Sequence, residues 1–401
     1  IGHDGWSQSG DHLVTTSMQL RWGAWQLIPR ISYQLNHRKE FDQHVHVGGS
    51  AGDELLDSIA LDMSLRTLRY DIKGKRTTAG GWNWILGSQG FTSSNTNEPE
   101  GLEGHGAPLI RDAEIKELSG FAISSWKGDK IGVEASVRSD LRQTQWDEGN
   151  VLPGENQRND WLGSAALGVH WDMTEGLISR WHVARSQRVP GLSELFSNGL
   201  HHCAYRIEMG DQTLENETSY NIEWNTRWHG RSLSMESSVY RNAIEDYVYI
   251  APMKESFEGV PEFAYTSTEA LFFGAEFTGE WSPMRWSHMG SKVAVSMVEA
   301  RDDMGSELPL IPPFTVRVES GWSGGEWARF DEIFAHVVVN YSRDATLLHW
   351  SCGARVSENV QCILSVQNLL NAEYYPTLSM LRNLYIPESG RNIRLRLEWK
   401  F

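Results

Sequence analysis

Seven side chains able to bind a metal fall in polar stretches of the sequence: His37, His44, His46, His105, His201, His202 and Cys203. Neutral imidazoles and a thiolate suit zinc, copper, iron or haem iron, so the chemistry open to them is capture of a metal or a metal complex. His44 and His46 are two positions apart, which puts both on one side of an extended segment. His201, His202 and Cys203 are consecutive and form the leading metal-ligand set, while His44, His46, His105, His201 and His202 are candidate ligand-binding residues. None of these spacings is diagnostic of a metal, and solvated loop histidines are the competing account. Glu98, Glu100 and Glu103 beside His105 make an acidic patch that solvation explains as readily as cation attraction. Cys352 and Cys362 flank a tight turn expected at 357–359 and are expected to face each other across a hairpin, as a disulfide or as two thiols. The sequence has no P-loop, nucleotide-binding glycine fingerprint, HExxH or GxSxG, so neither an enzyme nor a resident cofactor is expected.

Any such site must be held by elements that the sequence writes with a period of two. Ile131, Val133, Ala135, Val137 and Leu141 alternate with Glu134, Ser136, Arg138, Asp140 and Arg142. Ile393, Leu395, Leu397, Trp399 and Phe401 alternate with Arg394, Arg396, Glu398 and Lys400, and Phe273, Ala275, Phe277 and Trp281 with Glu276, Thr278 and Glu280. Successive side chains of a strand point to opposite faces, so each segment reads as a strand with one apolar and one polar side. Between Ile59 and Ile72 the apolar phase slips from odd to even positions, which predicts a bulge.

Extended over the chain, this reading gives about seventeen strands, beginning at 11–22 and 25–38 and closing at 390–401. One set of connections is short, at 23–24, 73–75, 127–129, 174–176, 230–231, 323–326 and 357–359. The other is mostly long, at 38–52, 90–108, 147–160, 190–213, 251–262, 301–312 and 373–389, and the two sets are expected to alternate strictly. A membrane-spanning antiparallel barrel sorts its connections this way, with tight turns on the periplasmic side and long loops outside. Trp22, Trp25, Trp126, Trp228, Trp281, Trp286, Trp322 and Trp327 flank the short set, where an interfacial aromatic girdle belongs. The polar face is too rich in charge to lie in a dry interior and fits a water-filled lumen.

Composition narrows the classes further. The 401 residues carry 52 acidic against 36 basic side chains, a formal charge of -16, with 40% apolar residues and 18 Trp. No apolar run approaches the roughly 18 residues of a spanning helix, which excludes a helical membrane protein. No basic cluster offers a face for phosphates, so nucleic acid is not expected as a partner. Three cysteines are too few for a disulfide scaffold. The chain opens at Ile1 without a leader, and a piece of a longer protein is expected.

Three stretches carry a resemblance. Val366, Gln367, Asn368, Leu369, Leu370 and Asn371, then Tyr374 and Tyr375, then Gly390, Arg391 and Asn392 before a strand ending in Phe401, resemble the C-terminus of TonB-dependent outer-membrane receptors. Arg188, Pro190, Glu194, Leu195 and Phe196, followed by Glu208, Gly210, Leu214, Glu217 and Ser219, resemble the family's stretch around a large outer loop. Pro309, Pro312 and Pro313 are similar to its proline-bearing late loop. The resemblance covers 180–401, and the strand rhythm extends it to the start. It implies a barrel of 22 strands around an N-terminal plug that engages TonB with ExbB and ExbD. The expected fold is thus an all-β, antiparallel transmembrane barrel forming one domain over 1–401, with about 17 of the 22 strands, no plug and no TonB motif, leaving two open edges. The implied function is uptake across the outer membrane of a Gram-negative bacterium of a scarce solute: a ferric siderophore, haem, zinc, cobalamin or an oligosaccharide. Partners are then outer-membrane lipid, the TonB system and a small-molecule or metal-chelate ligand. A passive porin of 16 or 18 strands and a soluble Trp-rich carbohydrate-binding or hydrolytic β protein are the alternatives.

Overall fold

The computed structural model describes residues 6–46, 54–97, 112–146, 156–201, 206–257, 259–325, 330–379, 381–382 and 385–400. The alternating sequence forms one sheet of twenty strands, antiparallel throughout its wall. Strands β1 (Trp6–Ser17) and β2 (Leu20–Trp22) both pair with β3 (Trp25–His46) and are two parts of one wall strand. The wall continues through β4 (Glu54–Thr77), β5 (Trp82–Asn97), β6 (Ala113–Lys127), β7 (Ile131–Trp146), β8 (Gln157–Thr174) and β9 (Leu177–Arg188). A short hairpin of β10 (Asn198–His201) and β11 (Arg206–Met209) interrupts it, and β12 (Glu217–His229) pairs back onto β9. Then follow β13 (Leu233–Phe257), β14 (Val260–Trp281), β15 (Met289–Asp302), β16 (Thr315–Gly324), β17 (Asp331–Ser342), β18 (Thr346–Ser357), β19 (Val360–Gln367) and β20 (Asn392–Trp399). With β1 and β2 taken as one and the hairpin set aside, the wall has the seventeen strands that the periodicity predicts. Among the described residues β1 pairs only with β3 and β20 only with β19, so these are the edges of the sheet.

The two faces divide as expected. Directly opposed residues share a face, and the line Val137–Ala165, Leu167–Val183, Trp181–Trp224 carries exposed apolar side chains from strand to strand. Val137 is 59% exposed and Leu397 on β20 is 68% exposed. A face this apolar and this open is stable only against lipid, and no helix of the described residues is long and apolar enough to cross a membrane. The opposite face holds Arg138, Asp140, Arg158, Glu223, Lys292, Glu319 and Arg317. Many of these charges are paired across it, as in Arg138–Asp140 and Lys292–Glu280. Because the apolar side faces outward, the buried hydrophobic clusters among the described residues are small and include residues of the long connections. One is Leu195, Phe196, Leu214 and Val248; the other is Ala270, Ala300 and Leu308.

Tight turns close one end. Gly176 has φ +85 in the β8–β9 turn, and a Cβ there would overlap the backbone carbonyl of His229. Trp22, Trp281, Trp286 and Trp322 are exposed at this end, as a girdle requires; Trp327 lies outside the described residues.

One expectation is refined and two need correction. The bulge expected between Ile59 and Ile72 falls at Ala60, where β3–β4 pairing shifts from Glu40↔Leu61 to Phe41↔Ile59, and not at the phase slip between Leu65 and Leu68, since pairing runs unbroken from Gln26↔Lys75 to Glu40↔Leu61. Met63 and Leu65 lie on the side opposite to Leu68, where a 24-residue strand outruns the bilayer. Strict alternation of connection length fails as well. The β17–β18 connection at the outer end is a tight turn in which Ser342 N–H donates to Ala345 at 2.9 Å, and much of 251–262 is paired strand of the β13–β14 hairpin. Finally, Cys352 opposes Leu364 and Cys362 opposes Ala354, so the thiols are offset by two residues and both are free.

Candidate functional site

The long connection from β9 to β12 folds into a fixed structure at the outer end. Pro190 is fully buried, and a single helical turn, α1 (Leu192–Phe196), follows with Gly191 as its N-cap. The Glu194 carboxylate accepts the Gly191 N–H at 2.6 Å and an Arg188 guanidinium N–H at 2.7 Å. Arg188 also holds Glu217 in a two-pronged pair, with both contacts at 2.6 Å, and Glu217 Oε1 accepts the Val248 N–H at 2.7 Å. One arginine thus ties the end of β9, the helical turn and the start of β12, and through Glu217 reaches β13. Gly210 closes the loop: its N–H donates to Ser197 at 2.6 Å, and a Cβ there would lie 2.6 Å from the backbone of Leu195 and Phe196. Arg158 on β8 makes a second tie, to the Leu214 carbonyl at 2.5 Å and to Asn216 Oδ1 at 2.8 Å. Trp146 packs on Phe196 with ring centroids 4.8 Å apart. The hairpin then adds β11 in parallel to the outer part of β14, with Ile207 opposite Glu262 and Met209 opposite Ala264.

At the hairpin four donors converge on one carboxylate. Glu208, 2% exposed, meets His201 Nδ1 at 2.8 Å, Arg206 Nε at 2.8 Å and NH2 at 2.7 Å, and the Tyr265 hydroxyl at 3.2 Å. Burial by itself would raise the Glu208 carboxyl pKa, but the His201 and Arg206 hydrogen bonds outweigh it and hold the group below its ordinary value. Burial and the Glu208 charge push the Tyr265 phenol up to about 12. When His201 is neutral its Nδ1 carries the proton that Glu208 accepts, which leaves the lone pair on Nε2, and the side chain is 40% exposed. A carboxylate fixing an imidazole tautomer in this way is the usual support of a metal-binding histidine.

The other candidates are dispersed. His37 Nε2 is 2.6 Å from Asp62, which Lys39 also holds at 2.5 Å. Burial opposes ionisation of Asp62, but hydrogen bonds from Lys39 and His37 keep its pKa below the ordinary value. His44 and His46 lie on β3, paired in register with Leu56 and Glu54. His105, His202, Cys203 and Phe401 lie outside the described residues, and among the described residues no three His, Cys, Asp or Glu side chains form a metal-binding group. In the C-terminal motif, Asn368 at φ 48 accepts the Ala372 N–H at 2.9 Å and donates to the Ala372 carbonyl at 2.8 Å. Leu369 N–H donates to Leu348 at 2.7 Å, Arg391 Nε donates to the Leu369 carbonyl at 2.9 Å, and the Tyr374 carbonyl accepts the Glu388 N–H at 3.0 Å. These motif residues fasten the last connection to β18. Sequence reasoning missed Arg158 and Tyr265, whose partners in this connection lie 56 to 58 residues distant in the chain and leave no local signal, and also Arg206, which grips Glu208 two residues on.

Known structures share this architecture. The copper transporter OprC superposes with a TM-score of 0.77 at 14% identity, covering 100% of this chain and 67% of that one. The hemophore receptor HasR of Serratia marcescens, solved as a double mutant with its hemophore HasA and haem, gives 0.67 at 14% identity, covering 99% and 66%. The ferric-catecholate import receptor Fiu of E. coli K12 gives 0.68 at 14% identity, covering 100% and 65%. The chain therefore spans about two thirds of these proteins' length, and at such identity the likeness establishes the fold. A family model described as TonB dependent receptor-like, beta-barrel matches residues 2–361. The chain is a barrel wall of the Gram-negative outer membrane and belongs to the TonB-dependent receptor β-barrel family.

Proposed function

We propose that this chain forms the wall and outer mouth of a receptor for active uptake of a scarce metal chelate, such as a ferric siderophore or haem, or of zinc. The observation that carries the reading is the outer connection held rigid by Arg188, Glu217 and Glu194 above a charged inward face. A passive pore needs no connection so firmly tied, whereas a binding surface gains affinity when its loops are ordered before the ligand arrives. His201, oriented by Glu208, is the leading metal contact, with His202 and Cys203 as its neighbours in sequence and His44, His46 and His105 as further outer ligands. Import past the wall draws on TonB, ExbB and ExbD acting on a plug domain within the whole receptor.

The test is accumulation of labelled metal by cells with and without the intact receptor, supplied in turn with ferric siderophores, haem, zinc and copper. Uptake of one of them that depends on the receptor, and that stops in a tonB deletion or with an uncoupler, supports the reading. Receptor-dependent uptake that persists in both conditions favours a passive pore.

A further inference from the structure

We propose that the outward face at the outer rim carries a phosphate-binding surface for lipopolysaccharide, centred on Arg185 and Arg241. Arg185 is the ninth residue of β9 and Arg241 the ninth of β13, each counted from its tight turn. A membrane-crossing strand needs about 9–11 residues, so both guanidinium groups stand at the outer limit of the hydrocarbon. Their register places them on the lipid side: Arg185 opposes Tyr220, and Arg241 opposes Ile222 on one side and Phe273 on the other. Tyr220, Ile222 and Phe273 are all exposed, so the two cations sit within an apolar surface. From these arginines down to the tight turns, the outward positions of β9, β12 and β13 are Val183, Trp181 and Ser179, then Ile222, Trp224, Thr226 and Trp228, then Val239, Ser237 and Met235, with no charge among them.

An unpaired cation beside hydrocarbon is costly, and among the described residues no carboxylate is paired with Arg185 or Arg241. Arg301, on the same face, is by contrast 3.8 Å from Glu299. Arg185 gives one donor to the Gly163 carbonyl at 2.7 Å and lies 5.9 Å from the Tyr220 ring centroid, which steadies it at this height. β9 and β13 are two strand spacings apart, so the cations are separated by roughly 10 Å across the sheet. Two cations at that spacing above an acyl-binding surface fit a glycolipid with two phosphates and several acyl chains, the lipid of the outer leaflet. Trp181 and Trp224, stacked with centroids 5.3 Å apart, lie just below and offer flat apolar contact to those chains.

The test uses the whole receptor extracted from outer membranes in mild detergent, with its thermal unfolding followed as lipopolysaccharide, phosphatidylglycerol or phosphatidylcholine is added. Lipopolysaccharide should raise the unfolding midpoint more than phosphatidylglycerol does, and phosphatidylcholine should not raise it. Each arginine should contribute about five-fold to the apparent affinity, so the double variant Arg185→Gln, Arg241→Gln should need about 25-fold more lipopolysaccharide for the same shift. The double Lys variant, which keeps both charges, should stay near the parent and separates loss of charge from loss of fold. An unchanged response in the double Gln variant, or equal stabilisation by phosphatidylglycerol, overturns the proposal.

Discussion

Replacing Glu217 by Ala removes the acceptor of three donors, two from Arg188 and one from Val248 N–H. Hydrogen bonds to charged groups are worth about 1.5–3 kcal/mol each at most, but Arg188 is half-exposed and water replaces much of what it loses. The Val248 N–H is buried and has no such substitute. A net cost of about 2–3 kcal/mol follows, borne by the docking of the β9–β12 connection, since the ladders of β9, β12 and β13 below it are untouched. That corresponds to about a 30- to 150-fold rise in the open population, read by amide hydrogen exchange. The amides of Val248, Gly210 and Asp211 should exchange faster by this factor, because the last two donate to Ser197 and Glu194 in the same tied segment. Amides at 220–228 should keep their protection, and Arg188→Lys, which retains charge but not the two-pronged geometry, should fall between. If protection at Gly210 and Asp211 is unaltered in Glu217→Ala, the arginine does not hold the connection and the argument for a rigid mouth is lost.

Acid should release the β10–β11 hairpin later than an ordinary carboxylate would. The Glu208 pKa is depressed below 4.5 in the folded protein, so its stabilisation is complete above the unfolded value and disappears as pH falls through the lower folded value. Exchange at 206–209 should stay slow at pH 5 and rise only in more acidic buffer, and Glu208→Gln should remove that pH dependence. Gly274→Ala should cost about 1–3 kcal/mol in urea unfolding, since the added Cβ would overlap the Tyr240 ring, and Tyr240→Ala should recover most of the loss. Cys352 and Cys362 should form no disulfide under oxidation, and in intact outer membranes they should react with a lipid-soluble maleimide but not with a charged one. A crosslinked hairpin on non-reducing gels would contradict the register.

What could be read from the sequence is what two different solvents impress on it. Val137 and Arg138 differ because one meets lipid and the other the lumen, and that contrast recurs in the membrane-crossing part of the wall strands, so strand number and facing are legible in the periodicity. Beyond the bilayer the contrast ends. The outer part of β13 and β14 reads as a loop over 251–262 because both its faces meet water or other connections, although Ala251 is paired with Ala264 there and Pro252 with Phe263. Arg188, Glu194 and Glu217 are recognisable in the sequence as family-like residues, but nothing in a separation of 29 residues says that the first grips the last. In the sequence His201 stands out for its neighbours His202 and Cys203, whereas its structural meaning comes from Glu208, seven residues on.

Where the wall crosses the membrane, neighbouring residues of a strand face lipid and water in turn. Spin labels placed singly at 131–142 of β7 in the receptor in outer membranes measure it, by collision with oxygen, which favours lipid, and with a polar nickel complex, which favours water. Oxygen-dominated relaxation is expected at Val133, Val137 and Leu141 and nickel-dominated relaxation at Glu134, Ser136 and Arg138, with a period of two. Equal access to both reagents along the strand, or an alternation of the opposite sense, would contradict it.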